Sequence, residues 1–227
     1  MKTIIVIGGS KGIGKALVKK LLTHSKVINI SRSKPNLTHN NLTHYYCNVT
    51  QDELPEINQA DGLVYCPGNI NLKPITSLNI KDFIHDFEIN VLGAVKSIQK
   101  YLHVLKKGHN PAIVLFSSVA TKLGMPFHTS IATVKAGIEG LVKSLAAEMA
   151  PVIRVNAIAP TVTNTQLAQK ILRSEKIIEN ITNRHPLKKI LEPEEVAILA
   201  DFLISDNTMS LTGQIFHMDC GLVTLKI

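Results

Sequence analysis

Seven residues near the start of this 227-residue chain have the composition and spacing to hold a phosphate: Gly8-Gly9-Ser10-Lys11-Gly12-Ile13-Gly14. They follow an apolar run, Ile4-Ile5-Val6-Ile7, and precede a helical pattern, Ala16-Leu17-Val18-Lys19-Lys20-Leu21-Leu22. A second apolar run, Val27-Ile28-Asn29-Ile30, then ends at Ser31-Arg32. Strand, glycine turn, helix and strand in this order offer backbone N–H groups and the positive end of a helix to an anion. Glycines there turn the chain, let a pyrophosphate approach the backbone and let the helix pack on the strand. A glycine run alone says little; its place inside a βαβ unit gives it meaning.

The elements that must position this turn alternate along the chain. After a polar loop, Ser33 to His44, the run Tyr45-Tyr46-Cys47-Asn48-Val49 predicts a third strand. Residues 51–60 are broken by Pro55, and a fourth strand, Gly62 to Cys66, is stopped by Pro67-Gly68. Helical spacing of apolar residues predicts a long helix over Lys81 to Lys106. Ala112 to Phe116 is a fifth strand, ending in Ser117-Ser118; a second long helix spans Ile131 to Met149, before Pro151. Ile153 to Ile158 and Gly213 to Met218 complete the strands, and Pro193 to Ile204 a last helix, with acidic residues at its positive end. Residues 164–191 read as an excursion outside the sheet. The expected fold is α/β, with a doubly wound parallel sheet of about seven strands, helices on both faces, and residues 1–227 as a single domain. Ligands of such sheets bind outside the carboxyl ends of the strands. The segments to inspect are therefore Gly8 to Gly14, Ser31-Arg32, Asn48, Cys66 to Asn69, Ser117-Ser118 and Pro160 to Thr165.

Whole-chain properties narrow the classes. The formal charge is +8, but the lysines are scattered and aromatics are only 4% of residues. That fits a solvated basic surface suited to an anionic ligand better than a nucleic-acid interface. No apolar run approaches the roughly 18 to 20 residues that span a bilayer, and Met1-Lys2 leads into a strand, unlike a signal peptide. Cys47, Cys66 and Cys220 are few, odd in number and far apart, as expected in a reducing cytoplasm and for neither a disulfide framework nor a metal site.

Read together, the strand ends resemble the short-chain dehydrogenase/reductase family, from one end of the chain to the other. Gly8, Gly12 and Gly14 match its Gly-x-x-x-Gly-x-Gly turn, with Ile7 where a threonine usually stands. Asn48-Val49 resembles its Asp-Val adenine contact. Tyr65-Cys66-Pro67-Gly68 stands in place of Asn-Asn-Ala-Gly, and Asn90-Val91, Ser117-Ser118 and Lys135-Ala136-Gly137 match its active-site segments. Arg154 to Pro160 matches the strand before the family's Pro-Gly, with Thr161 for glycine. Glu192-Pro193-Glu194-Glu195-Val196-Ala197 and Thr212 to Gly221 match its C-terminal pattern. The resemblance implies a Rossmann-type fold and a nicotinamide cofactor held by Gly8, Ser10, Lys11, Gly12, Ile13, Gly14, Ser31, Arg32, Asn48, Val49, Cys66, Pro67, Gly68, Lys135, Pro160, Thr163 and Thr165. It also implies a substrate loop over 164–191 and a homodimer or homotetramer formed through helices 81–106 and 131–149. The helix usual between strands three and four must be trimmed.

The second strand ends in Ser31-Arg32 with no carboxylate to repel a 2′-phosphate. Arg32 offers paired donors and Lys11 a second charge, so NADP(H) is expected over NAD(H). For carbonyl chemistry the family supplies a serine, an asparagine, a lysine and, one helical turn before the lysine, a proton-donating tyrosine. Here Asn90, Ser118 and Lys135 are present, but Ile131 occupies the tyrosine position. Three accounts stay open. His128 can donate the proton, Thr129, Ser130 and Thr133 are poorer acids, and Lys135 itself donates if its pKa falls. Alternatively the substrate needs no such acid, or the chain is a non-catalytic NADP(H)-binding sensor or assembly protein. The expected partner is a small-molecule substrate, with no nucleic acid or membrane; Arg173, Arg184, Lys188 and Lys189 in the loop suit an anionic group.

Overall fold

The computed structural model describes residues 1–226. Seven strands, β1 (Thr3–Ile7), β2 (Lys26–Ser31), β3 (Leu42–Tyr46), β4 (Gly62–Tyr65), β5 (Ala112–Phe116), β6 (Arg154–Pro160) and β7 (Ile215–Met218), form one sheet in the order β3-β2-β1-β4-β5-β6-β7. Every pairing is parallel. The helices are α1 (Gly12–Leu21), α2 (Ile80–Phe87), α3 (Gly93–Leu105), α4 (Thr129–Met149), α5 (Glu175–Arg184) and α6 (Pro193–Ile204).

Period-2 side-chain alternation sorts the strands into two cores. Ile5, Ile7, Leu63, Tyr65, Ile113 and Leu115 join the α3 and α4 side, whereas Ile4, Val6, Val64, Val114 and Phe116 join the α1 and α6 side. That is why Ile4 to Ile7 is apolar throughout: neither face of a central parallel strand meets water. β1 pairs with β2 on one side and β4 on the other, so the winding reverses there, and a crevice opens beyond the carboxyl ends of β1 and β4.

Three expectations need correction. The third strand is Leu42–Tyr46, not residues 45–49, and Leu42 to His44 belongs to it rather than to the preceding loop. The register pairs Asn29 with His44, whose Nδ1 lies 2.9 Å from the buried Asn29 amide. Asn48 instead opens a turn, its N–H donating to Asp52 Oδ2 at 2.7 Å. The long helix at 81–106 runs from Ile80 to Leu105 but contains a π turn over Glu88–Leu92, where Gly93 N–H reaches back five residues to Glu88 O. The second long helix begins at Thr129, two residues early. Residues 51–60 contain no helix, and 164–191 holds a 3-10 turn, Gln166–Lys170, followed by α5. Among the described residues no helix is long and apolar enough to cross a membrane.

Candidate active site

The glycine turn is shaped by contacts that exclude larger side chains. Gly8 has φ +80, and a Cβ on it would sit 3.0 Å from Pro67 Cδ, so the turn after β1 lies against the end of β4. A Cβ on Gly14 would meet Gly8 O at 2.3 Å, inside any real contact, so only glycine lets α1 start this close to the turn. Gly8 N–H donates to Ile30 O at 2.8 Å, and Gly9 N–H to Asn29 Oδ1 at 2.9 Å. Asn29, fully buried in β2, donates in turn to Ser31 Oγ (3.0 Å), Ser31 Oγ to Ser33 O (3.0 Å), and Ser33 Oγ to Ser10 Oγ (3.1 Å). This chain of bonds brings Ser10, Lys11 and the exposed Arg32 to one rim. Asn29 was not singled out from sequence; its signal is a polar residue inside an apolar strand, which must find partners there. Thr165 closes over the turn, its Cγ2 3.2 Å from where a Cβ on Gly12 would lie.

A second group converges beyond β4 and β5. Lys135, from α4, is half-buried and donates through Nζ to Phe116 O at 2.8 Å. Burial holds its amine down to about 8, because loss of water disfavours the charged form, and the neighbouring Cys66 opposes that shift weakly. The same burial pushes the Cys66 thiol up to about 12, far from a nucleophile's range. A Cβ on Gly68 would lie 3.8 Å from Lys135 Nζ and 3.3 Å from Asn90 Oδ1, so lysine, asparagine and the Cys66-Pro67-Gly68 turn share one space. Asn90 is buried, yet among the described residues its Oδ1 has no hydrogen-bond partner. An orphaned acceptor at the mouth of a crevice, next to a cradle that a Cβ would fill, fits a site built to receive a polar ligand. Asn90 sits within the π turn, a distortion frequent at functional sites. Tyr65 anchors the turn by donating to Ile89 O at 2.6 Å, and only a glycine at 93 leaves room for its hydroxyl.

Ser118 Oγ accepts from Ala120 N at 3.2 Å, capping the turn after β5, and its own proton stays available. Its neighbour Ser117 faces away, donating to buried Glu139 at 2.8 Å. Ile131 is 6% exposed and belongs to the core on the α3 and α4 side. His128 precedes α4, with Nδ1 2.7 Å from Pro126 O; among the described residues no hydrogen bond joins it to Asn90, Ser118 or Lys135. Asn48 spends its side chain on its own turn, with Gln51 and Thr50, while Val49 is buried behind it. Pro160 ends β6, and Thr163 donates to Thr161 O at 3.0 Å and bridges to Leu191. Thr161, the departure from Pro-Gly, meets buried His185 Nε2 at 2.8 Å, which ties the start of the loop to the end of α5. Among the described residues no three His, Cys, Asp or Glu side chains are grouped to hold a metal.

The fold, with its crevice at the reversal point and glycine turn, defines an α/β protein of the dinucleotide-binding architecture. Residues 45–223 match the family model described as enoyl-(acyl carrier protein) reductase. The 3-oxoacyl-(acyl-carrier-protein) reductase FabG of Thermotoga maritima is 32% identical over 98% of this chain and 98% of its own length. The acetoacetyl-CoA reductase of Synechocystis sp. is 30% identical over 96% of this chain and 95% of its own. Among solved structures, ligand-free aldohexose dehydrogenase of Thermoplasma acidophilum superposes with a TM-score of 0.91 at 28% identity, over 99% of this chain and 95% of that one. ElxO with NADP bound gives 0.89 at 27% identity, over 99% and 100%. The chain belongs to the short-chain dehydrogenase/reductase family, a family of oxidoreductases.

Proposed function

We propose that the chain is an NADP(H)-dependent oxidoreductase that interconverts a carbonyl and an alcohol on a small molecule. The observation that carries this reading is the convergence of Lys135 Nζ and the orphaned Asn90 Oδ1 beside Gly68, one strand end away from the glycine turn. Gly8, Ser10, Lys11, Gly12, Ile13 and Gly14 hold the pyrophosphate, and Ser31 and Arg32 the 2′-phosphate end. Asn48 and Val49 lie on the adenine side, and Cys66, Pro67, Gly68, Pro160, Thr163 and Thr165 on the nicotinamide side. ElxO's bound NADP supports the choice of cofactor. The cofactor, when bound, supplies or accepts the hydride. Ser118 turns its free hydroxyl proton to the carbonyl oxygen as charge builds there. Lys135, with its amine down to about 8, can hold and release a proton near neutral pH and is the favoured donor; His128 is the second candidate.

Lys170, Arg173, Lys176, Arg184 and Lys188 on the 164–191 loop suit an anionic carrier on the substrate. The thioester substrates named for the two curated relatives are accordingly the first to try. Two or four copies assemble through helices 80–105 and 129–149; exposed Leu92 and the open space around Gly140 support this. We place the protein in the cytoplasm, in keeping with three free thiols. A second reading, a non-catalytic NADP(H) sensor, is favoured by one observation, the buried Ile131 at the position of the acid. Following NADPH absorbance with acetoacetyl-CoA and a panel of ketones and aldehydes separates the two. The enzyme reading expects turnover that falls at least 100-fold in Lys135→Ala. Tight NADPH binding with no turnover of any carbonyl establishes the sensor, and turnover unchanged in both Lys135→Ala and His128→Ala rejects the site assignment.

A further inference from the structure

Asp86, on α2, is a fully buried carboxylate that none of the roles above uses. Burying a carboxylate is costly unless donors satisfy it. None of the ion pairs among the described residues includes it. It is met by two neutral donors instead: Asn69 Nδ2 on Oδ1, and Ser130 Oγ, from the first turn of α4, on Oδ2. Asn69 Oδ1 then accepts from Asn90 Nδ2 at 2.7 Å, and Asn90 Nδ2 also donates to the Asp86 main-chain carbonyl at 2.8 Å. Asn90 is one helical turn after Asp86, which puts both on the inward face.

An asparagine amide has a donor end and an acceptor end of nearly equal size, so its neighbours, not packing, decide which way round it sits. We propose that Asp86 is a positioning residue: through Asn69 it fixes the orientation of the Asn90 amide and so keeps the Asn90 carbonyl oxygen turned towards Lys135. Because Asp86 presents only acceptors, Asn69 must show it Nδ2 and turn Oδ1 to Asn90. Asn90 must then give Nδ2 to that side, where the Asp86 main-chain carbonyl also accepts it, which leaves Oδ1 on the side of Gly68, unpaired among the described residues. With the amide reversed, two NH2 groups would face each other and the lysine would meet a donor. Ser130 holds the far side of the carboxylate and ties α2 to α4, the helix that carries Lys135.

This takes up the Asn90–Lys135 site of the function proposed above. Its test reads the lysine itself, so a chain that binds cofactor but turns nothing over still answers it. The Lys135 titration is followed by NMR of 13C-methylated protein, its resonance assigned by loss in Lys135→Arg. A carbonyl oxygen facing the amine favours the ammonium, so Asn90→Ala is expected to lower the midpoint. Asp86→Leu and Asn69→Ala should each reproduce part of that fall, the Asp86 main-chain carbonyl still holding Nδ2, and Asp86→Asn, which keeps an acceptor, should stay near the parent. The double variant Asp86→Leu/Asn90→Ala should fall no further than Asn90→Ala alone. If Asp86→Asn falls as far as Asp86→Leu, the carboxylate acts through its charge and the proposal is wrong. Additive shifts in the double variant, or no shift in Asn90→Ala, also overturn it. Should Asp86→Leu fail to fold, Asn69→Ala on the half-buried loop decides the same question.

Discussion

Replacing Lys135 with methionine is expected to stabilise the cofactor-free protein near pH 7, although it deletes a hydrogen bond to Phe116 O. The amine falls from 10.5 to about 8 because burial strips water from its charged form. The folded value lies below the unfolded one, so between them the unfolded chain binds more protons and stability rises with pH. Below that window the buried ammonium costs the fold about 3 kcal/mol, from roughly 1.4 kcal/mol for each pH unit between the two values. At pH 9.5 the cost shrinks to about 1 kcal/mol, a recovery of about 2 kcal/mol. Methionine keeps the apolar stem and removes both the charge and its titration. Urea unfolding of parent and Lys135→Met at pH 7 and 9.5 reads this directly, since other groups titrate alike in both. The parent should gain about 2 kcal/mol relative to the variant on going to pH 9.5. Equal pH dependence in the two would show that Lys135 is not desolvated, and would remove the argument that it holds a proton near neutrality.

Other changes probe the rest of the site. Ile131→Tyr places a phenol one helical turn before Lys135; it should raise turnover by about 10²- to 10⁴-fold, the usual worth of a positioned acid, at an overpacking cost of about 1 to 3 kcal/mol. NADPH oxidation in the folded variant measures it, and no gain would mean that another group already serves. Gly14→Ala puts a methyl 2.3 Å from Gly8 O, and the forced shift of the turn should weaken NADPH binding by roughly 100-fold, read by fluorescence titration. Tyr65→Phe deletes the 2.6 Å bond to Ile89 O and should cost about 1 kcal/mol, lowering Tm by roughly 2 to 4 °C.

Most of the strands, and the segments at their carboxyl ends, are legible in the sequence because both faces of the central strands are covered. Ile4 to Ile7 and Ala112 to Phe116 read as unbroken apolar runs of strand length. β3 is misread by three residues because an edge strand needs little apolar content. Tyr45 and Tyr46 are exposed, whereas Cys47 and Val49, which drew the assignment downstream, are buried beyond the strand's end. The π turn leaves no trace in the apolar spacing, since one extra residue in a helix shifts the pattern by less than a turn. Arg32, Lys135 and Asn90 are singled out from order and resemblance. Asp86 is passed over because a polar residue on a helix looks solvated, and Ser130 is weighed only as a weak proton donor, its bond to Asp86 leaving no sign in the sequence. The available signal is spacing: Asp86 lies four residues before Asn90, so if one faces inward the other does too.

The rim beside Arg32 decides which nucleotide the protein receives. Calorimetric titration of the parent with NADPH and with NADH, repeated on Arg32→Ala, measures it. NADPH should bind the parent at least tenfold more tightly than NADH, about 1.4 kcal/mol for the paired donors on a 2′-phosphate, and Arg32→Ala should erase that margin with little effect on NADH. Equal affinity of the parent for the two nucleotides, or binding of neither, would contradict it.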